Sequence, residues 1–197
     1  MRILATTAPP DSRVRCAWAE NSDAERAYHD AEWGVPLHGN TALFEMLTLE
    51  GAQAGLSWRT VLVRRERYRE AYHGFDIQRV AAMRDEELEG LLVRSGLIRN
   101  RLKIYSVRQN AQAALRIIDE AGSLDVHLWS FVGGAPIRNA WTQRGDVPAQ
   151  TEISMSMSRD LKRRGLSFVG STICYAFMQA TGMVNDHATD CFRHQGP

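Results

Sequence analysis

Arg159-Asp160-Leu161-Lys162-Arg163-Arg164-Gly165-Leu166-Ser167-Phe168-Val169-Gly170-Ser171-Thr172-Ile173-Cys174-Tyr175-Ala176-Phe177-Met178-Gln179-Ala180 reads as a helix, a tight turn and a second helix. The turn falls near Phe168-Val169-Gly170, and the second helix opens at Ser171-Thr172. A glycine at a helix N-terminus lets a phosphate reach free backbone N–H groups. A hairpin of this kind can grip a DNA phosphate without reading sequence. Lys162, Arg163 and Arg164 are close by in the chain and can add positive charge. The same pattern also fits an ordinary helical hairpin with a solvated basic face, because glycine-containing helix pairs are common.

Outward from this stretch the chain is helical almost throughout, which makes the fold class all-α. Residues 41–53 place Leu43, Phe44, Met46, Leu47 and Leu49 at mixed three- and four-residue spacing, as an inward helix face requires. Residues 58–72 predict an arginine-rich helix. Asp76 can cap a helix bearing Ile77, Val80 and Met83, and Asp85 one bearing Leu88, Leu91 and Leu92. Further helices are expected over 100–120, 125–132, 158–164 and 170–182. Residues 133–150 form the longest irregular stretch, and 1–14 read as a flexible tail. Residues 15–197 then make a single domain of two helical lobes, with the hairpin at about 158–182.

Composition excludes several classes. The 197 residues carry a net charge of +1, so overall charge does not announce a nucleic-acid binder. Local clustering of arginine matters more, since Lys103 and Lys162 are the only lysines. Three cysteines are an odd count for a disulfide framework. Neither a signal peptide nor a transmembrane run is legible, and a reducing cytoplasm is the expected location. Cys174 lies in an apolar run and reads as an inert core thiol.

The other two cysteines pair with histidines at opposite ends of the chain, as Cys16-x12-His29 and His187-x3-Cys191. Two Cys and two His make a closed tetrahedral zinc shell, and a shell divided this way would clasp the N-terminal segment to the C-terminal one. The spacing alone is equally open to chance, because any helical turn can carry His-x3-Cys. A second constellation is aromatic and acidic: Tyr28 and Trp33 flank His29, and Glu50 precedes Trp58. Aromatic faces and a carboxylate suit a flat, cationic purine. The alternative is that the tryptophans are core and Glu50 is half-exposed.

Long blocks weigh on these alternatives. Arg15-Cys16-Ala17-Trp18, Tyr28-His29-Asp30-Ala31-Glu32-Trp33-Gly34-Val35-Pro36, and Leu43-Phe44-Glu45-Met46 through Leu49-Glu50-Gly51-Ala52-Gln53-Ala54-Gly55-Leu56-Ser57-Trp58 resemble the DNA-3-methyladenine glycosylase I family. So do Phe75-Asp76, Trp129-Ser130-Phe131-Val132, Arg164 through Tyr175, and Gly182-Met183-Val184-Asn185-Asp186-His187. The likeness spans about residues 15–191.

The resemblance implies a helix-hairpin-helix DNA glycosylase fold with a structural zinc site joining the termini, held by Cys16, His29, His187 and Cys191. It implies that Glu50 binds the methylated adenine and serves the reaction, with Tyr28, Trp33 and Trp58 shaping the pocket. Leu56 lies where the family inserts an apolar wedge into the base stack, and Gly170, Ser171 and Thr172 would hold the DNA phosphate. The implied partner is alkylated double-stranded DNA, with free 3-methyladenine as product and the enzyme a monomer away from membranes.

Two positions depart from the superfamily pattern. Phe168 stands at the first glycine of the hairpin, and Ser171-Thr172 stand where relatives with a lyase step carry lysine, so a monofunctional enzyme is expected. Asp186, next to His187, is read as orienting that ligand. A zinc-dependent hydrolase would need an open coordination position, which four ligands deny. A non-catalytic damage binder and an interaction domain remain as alternatives that base release separates from the enzyme.

Overall fold

The computed structural model describes residues 12–93, 96–142 and 144–195. Of the expected tail, residues 1–11 lie outside the described residues. The described residues form ten α-helices, three short 3-10 helices and two short strands.

Helix α2 (Asn40–Gln53) is the centre of the molecule: every residue from Leu43 to Ala52 is buried. A helix apolar all round belongs inside a core rather than at its edge. It packs against α3 (Trp58–Leu62), α7 (Arg101–Ala121), α8 (Leu124–Ser130) and α10 (Ser171–Ala180). Two carboxylates lie within this buried stretch. Glu45 is compensated, since Arg65 Nε reaches it at 2.5 Å and Arg69 Nε at 3.0 Å. Glu50 has no such partner, and the functional site is built around it.

Helix α7 is the longest. Asn100 caps it by accepting from Lys103 N at 3.1 Å, and Gly122 ends it. Its flanks carry α5 (Ile77–Ala81) and α6 (Asp85–Val93). The helix expected over 58–72 is two, α3 and α4 (Arg65–Ala71), because the chain turns at Val63-Arg64. Helix α1 (Asp23–Ala31) goes beyond the expectations. The side chain of Ser22 caps it by accepting from Glu25 N at 3.2 Å.

Helix α9 (Glu152–Arg163) starts earlier than the expected 158, because Thr151 and Ser154 form a reciprocal capping box. It packs on α10, and the turn between them is fastened to α7. Asn110 accepts from Ser167 N at 2.8 Å and donates to Ser167 O at 3.0 Å. Phe168 takes a left-handed backbone, φ 56°. A Cβ on Gly51 would come within 3.2 Å of Phe168 Cβ, so the missing side chain at 51 lets the turn seat against α2.

One departure from a purely helical chain lies beside the site. β1 (Ile137–Arg138), inside the stretch expected to be irregular, pairs in parallel with β2 (Val184–Asn185). Ile137 N donates to Met183 O at 2.9 Å and Asn139 N to Asn185 O at 3.1 Å. The pairing draws residues 139–142 over the chain that leaves α10. No helix among the described residues is long and apolar enough to cross a membrane.

Candidate functional site

The four Cys and His residues converge. Cys16 precedes a 3-10 turn, His29 stands in the last turn of α1, and His187 and Cys191 follow β2 on a succession of turns rather than on the expected helical turn. All four are buried, and their donor atoms lie within 4.8 Å of one another. Cys191 Sγ is 3.4 Å from His29 Nε2 and 3.6 Å from His187 Nδ1, and Cys16 Sγ is 3.6 Å from His187 Nδ1. A tetrahedral zinc with ordinary Zn–S and Zn–N lengths sets neighbouring S and N about 3.6 Å apart, so the donor set fits that ion. Burial drives the His187 imidazole down to about 4 and also lowers His29, which keeps both rings neutral and able to ligate. Burial pushes the Cys16 thiol up to about 12, so a thiolate there needs a cation beside it.

The outer partners of the two histidines differ. His29 Nδ1 meets Asp30 Oδ1 at 2.9 Å, and Asp30 is held by Arg15 Nη2 at 2.8 Å. His187 Nε2 lies 3.1 Å from the Trp33 carbonyl. That approach depends on Gly34 (φ 77°), where a Cβ would stand 2.8 Å from His187 Nε2.

Beside the cluster opens a cavity of about 730 Å³, lined by Trp18, Tyr28, Trp33, Glu50, Trp58, Trp141 and Asp186 among others. Tyr28, Trp33, Glu50 and Trp58, all expected at a pocket, thus share one chamber. The rings of Tyr28 and Trp58 lie 5.1 Å apart, as do those of Trp18 and Trp33. The edge of Trp33 meets His187 at 4.6 Å between centroids, so the Cys/His cluster buttresses one wall.

Glu50 is 3% exposed. Its Oε2 has no hydrogen-bond partner, and neither does Tyr28 Oη or Trp58 Nε1. Buried polar atoms are ordinarily paired, and three orphans facing one cavity describe a ligand by its absent contacts. Burial raises the Glu50 carboxyl to about 8, which favours its neutral form below that pH. Burial, and after it the charge of Glu50, also raises Tyr28.

Asp186 does not orient His187. Its Oδ1 accepts from Asn139 Nδ2 at 2.6 Å and Trp141 Nε1 at 2.8 Å, and its Oδ2 from Tyr175 Oη at 2.6 Å and Gln179 Nε2 at 2.7 Å. Four neutral donors occupy the carboxylate, leaving it no capacity for the imidazole. Its effect is to hang Trp141 on the cavity wall. Trp141 and Trp18 were not among the expected pocket residues. No spacing signal marks Trp141, which reaches the cavity only through the β1–β2 pairing.

The expected DNA contacts lie apart from this buried set. Leu56, in the loop between α2 and α3, is 42% exposed. Gly170 caps α10 without a side-chain hydrogen bond, which leaves N–H groups of the first turn open. Ser171 Oγ donates to Gln150, and Thr172 is exposed. Of the nearby basic residues, Arg163 and Arg164 are engaged by Asp160. Lys162 is exposed with no carboxylate in salt-bridge range among the described residues.

A family model described as methyladenine glycosylase matches residues 18–194. The chain is 46% identical over 182 residues to DNA-3-methyladenine glycosylase 1 of Escherichia coli (strain K12), covering 92% of this chain and 97% of that protein. Among solved structures, a crystal structure of 3-methyladenine DNA glycosylase I superposes with a TM-score of 0.89 at 48% identity, covering 91% of this chain and 98% of that one. A structure addressing 3-methyladenine recognition by the Staphylococcus aureus enzyme gives a TM-score of 0.88 at 33% identity, over 90% of this chain and 95% of that one.

Proposed function

The chain belongs to the methyladenine glycosylase family, and on that premise we propose that it hydrolytically releases 3-methyladenine from alkylated double-stranded DNA, as a monofunctional enzyme acting as a monomer. The observation that carries this reading is the unpaired, buried Glu50 carboxyl facing an aromatic cavity together with Tyr28 Oη and Trp58 Nε1. A base lodged there finds two hydrogen-bonding atoms and a carboxyl whose ionised form a cation favours.

The helix-hairpin-helix of α9 and α10 holds a DNA phosphate at the N–H groups after Gly170, with Ser171 and Thr172. Leu56 fills the gap in the stack as the damaged nucleotide swings out. Methylation at N3 makes adenine a cation, and aromatic faces attract a cation more than a neutral ring. In that environment Glu50 gives up its proton to solvent and its carboxylate pairs with the cationic base, which ordinary adenine cannot induce. The bond between C1′ and the base then breaks with its electron pair going to the base, which leaves neutral. Water adds its oxygen to C1′ and returns a proton to solvent, leaving an abasic site. The negative charge on Glu50 stabilises the positive sugar in passing. Ser171 and Thr172 offer no amine for a Schiff base, so the reaction stops there.

Cys16, His29, His187 and Cys191 would hold zinc. When bound, the ion neutralises two thiolates and supplies no reactive position, since four protein ligands fill its shell.

The test is chromatographic release of free base from methylated duplex DNA by wild type and Glu50→Ala. Wild type should release 3-methyladenine and not 7-methylguanine, and the variant should lose that release. Failure of well-folded, zinc-loaded wild type to release any base would leave a protein that binds damage without cutting.

A further inference from the structure

The C-terminal end of α2 sets both halves of the site. Glu50 stands in its last turn, and the loop carrying Leu56 leaves from it. A helix end exposes carbonyl oxygens without partners and carries partial negative charge. Here two of them converge on one cation: Lys103 Nζ donates to Ala52 O at 2.9 Å and to Ala54 O at 2.6 Å. These carbonyls bracket Gln53, whose own carbonyl accepts from Leu56 N at 2.6 Å. Lys103 is 9% exposed and projects from the first turn of α7, with no carboxylate in salt-bridge range among the described residues. A buried ammonium satisfied by two carbonyls is an unusual use of lysine, which elsewhere in the chain occurs only at Lys162. Its compact head suits two converging oxygens where a planar guanidinium does not.

We propose that Lys103 is a positioning residue for the Leu56 loop, fixing its departure from α2 so that Leu56 meets the duplex already aimed. This rests on reading Leu56 as the wedge. A loop ordered in advance spares the ordering entropy otherwise lost on DNA binding. Lys103 touches neither the base nor the sugar, so its influence belongs to the encounter with duplex rather than to occupancy of the pocket.

The experiment is a double-mutant cycle on Leu56→Ala, Lys103→Met and the pair, with single-turnover base release from methylated duplex as one readout. Binding of free 3-methyladenine, by calorimetry, is the other. Lys103→Met should slow duplex release about tenfold while changing free-base affinity less than about twofold, and the double variant should be no slower than Leu56→Ala alone. Losses that multiply in the double variant overturn the proposal. So does a loss of free-base affinity as large as the loss of duplex release. Leu56→Ala releasing base at the wild-type rate overturns the wedge reading itself, and the proposal with it. Should Lys103→Met not unfold cooperatively, Lys103→Arg carries the same comparison. A partial loss that vanishes in the Leu56→Ala background supports the role, and one that persists there overturns it.

Discussion

Glu45 and Glu50 are two carboxylates on one buried helix, and they have opposite fates. Two guanidiniums close on Glu45. Glu50 faces a cavity with an orphaned oxygen, and burial lifts it from 4.5 to about 8. A carboxyl raised in the folded state holds its proton where the unfolded chain has already lost it. Between those two values the native state therefore binds more protons, and stability falls as pH rises. The slope is at most roughly 1.4 kcal/mol per pH unit. Glu50→Gln should remove it: the variant should match wild type near pH 5 and exceed it by a few kcal/mol near pH 9. Denaturant unfolding of the base-free protein at several pH values measures this, and parallel curves for the two proteins would contradict the burial argument. In the sequence, Glu50 was legible as a carboxylate after an apolar face. Its isolation was not, because the arginines that rescue Glu45 and miss Glu50 come from α4, and side-chain reach across helices leaves no periodic trace.

At the scale of elements, the pairing of β1 with β2 and the four hydrogen bonds to Asp186 tie the 139–142 segment to α10. Asn at position 186 offers one acceptor oxygen and an amide that donates, against four donors that all need acceptors. Asp186→Asn should therefore cost about 2–4 kcal/mol, since buried donors lose their partners. Trp141→Phe, which removes one donor and keeps a ring, should cost about 1 kcal/mol. Thermal unfolding of both variants checks the order, and equal losses would dissolve the hub. Local signals were present for elements that periodicity overlooked. Ser22-x-x-Glu25 opens α1 and Thr151-x-x-Ser154 opens α9, both as caps that polar windows conceal. The two-residue strands had no such signal, being too short to alternate.

Across the whole molecule, the Cys/His cluster joins positions 171 residues apart in the chain. Spacing offered only two unremarkable pairs, and long blocks of family likeness brought them together before geometry did. If the cluster is a zinc clasp, the protein should carry one zinc per chain, and stripping it should lower the melting temperature sharply. Cys191→Ser should lose metal and several kcal/mol of stability, because binding energy in such sites is folding energy. Turnover per folded molecule should change far less than stability does. A stoichiometrically metal-free protein with an unchanged melt would sink the clasp. A mostly helical fold was thus readable from sequence, and Tyr28, Trp33, Glu50 and Trp58 do line one cavity, although Trp18 joins them there unforeseen. The placement of Trp141 and the duties of Asp186 and Asp30 were not, since each is set by contacts that only the folded chain creates.

The meeting of residues 16 and 191 at one centre also has a mechanical meaning. Were a metal held there, tension applied to the two ends of the chain would pass from Cys16 to Cys191 through it. Every described helix lies inside that shortcut and would stay unloaded until it broke. Heat and denaturant can attack the helices in any order, but with such a lock in place a pull on the ends would have to rupture it first, releasing the fold behind it.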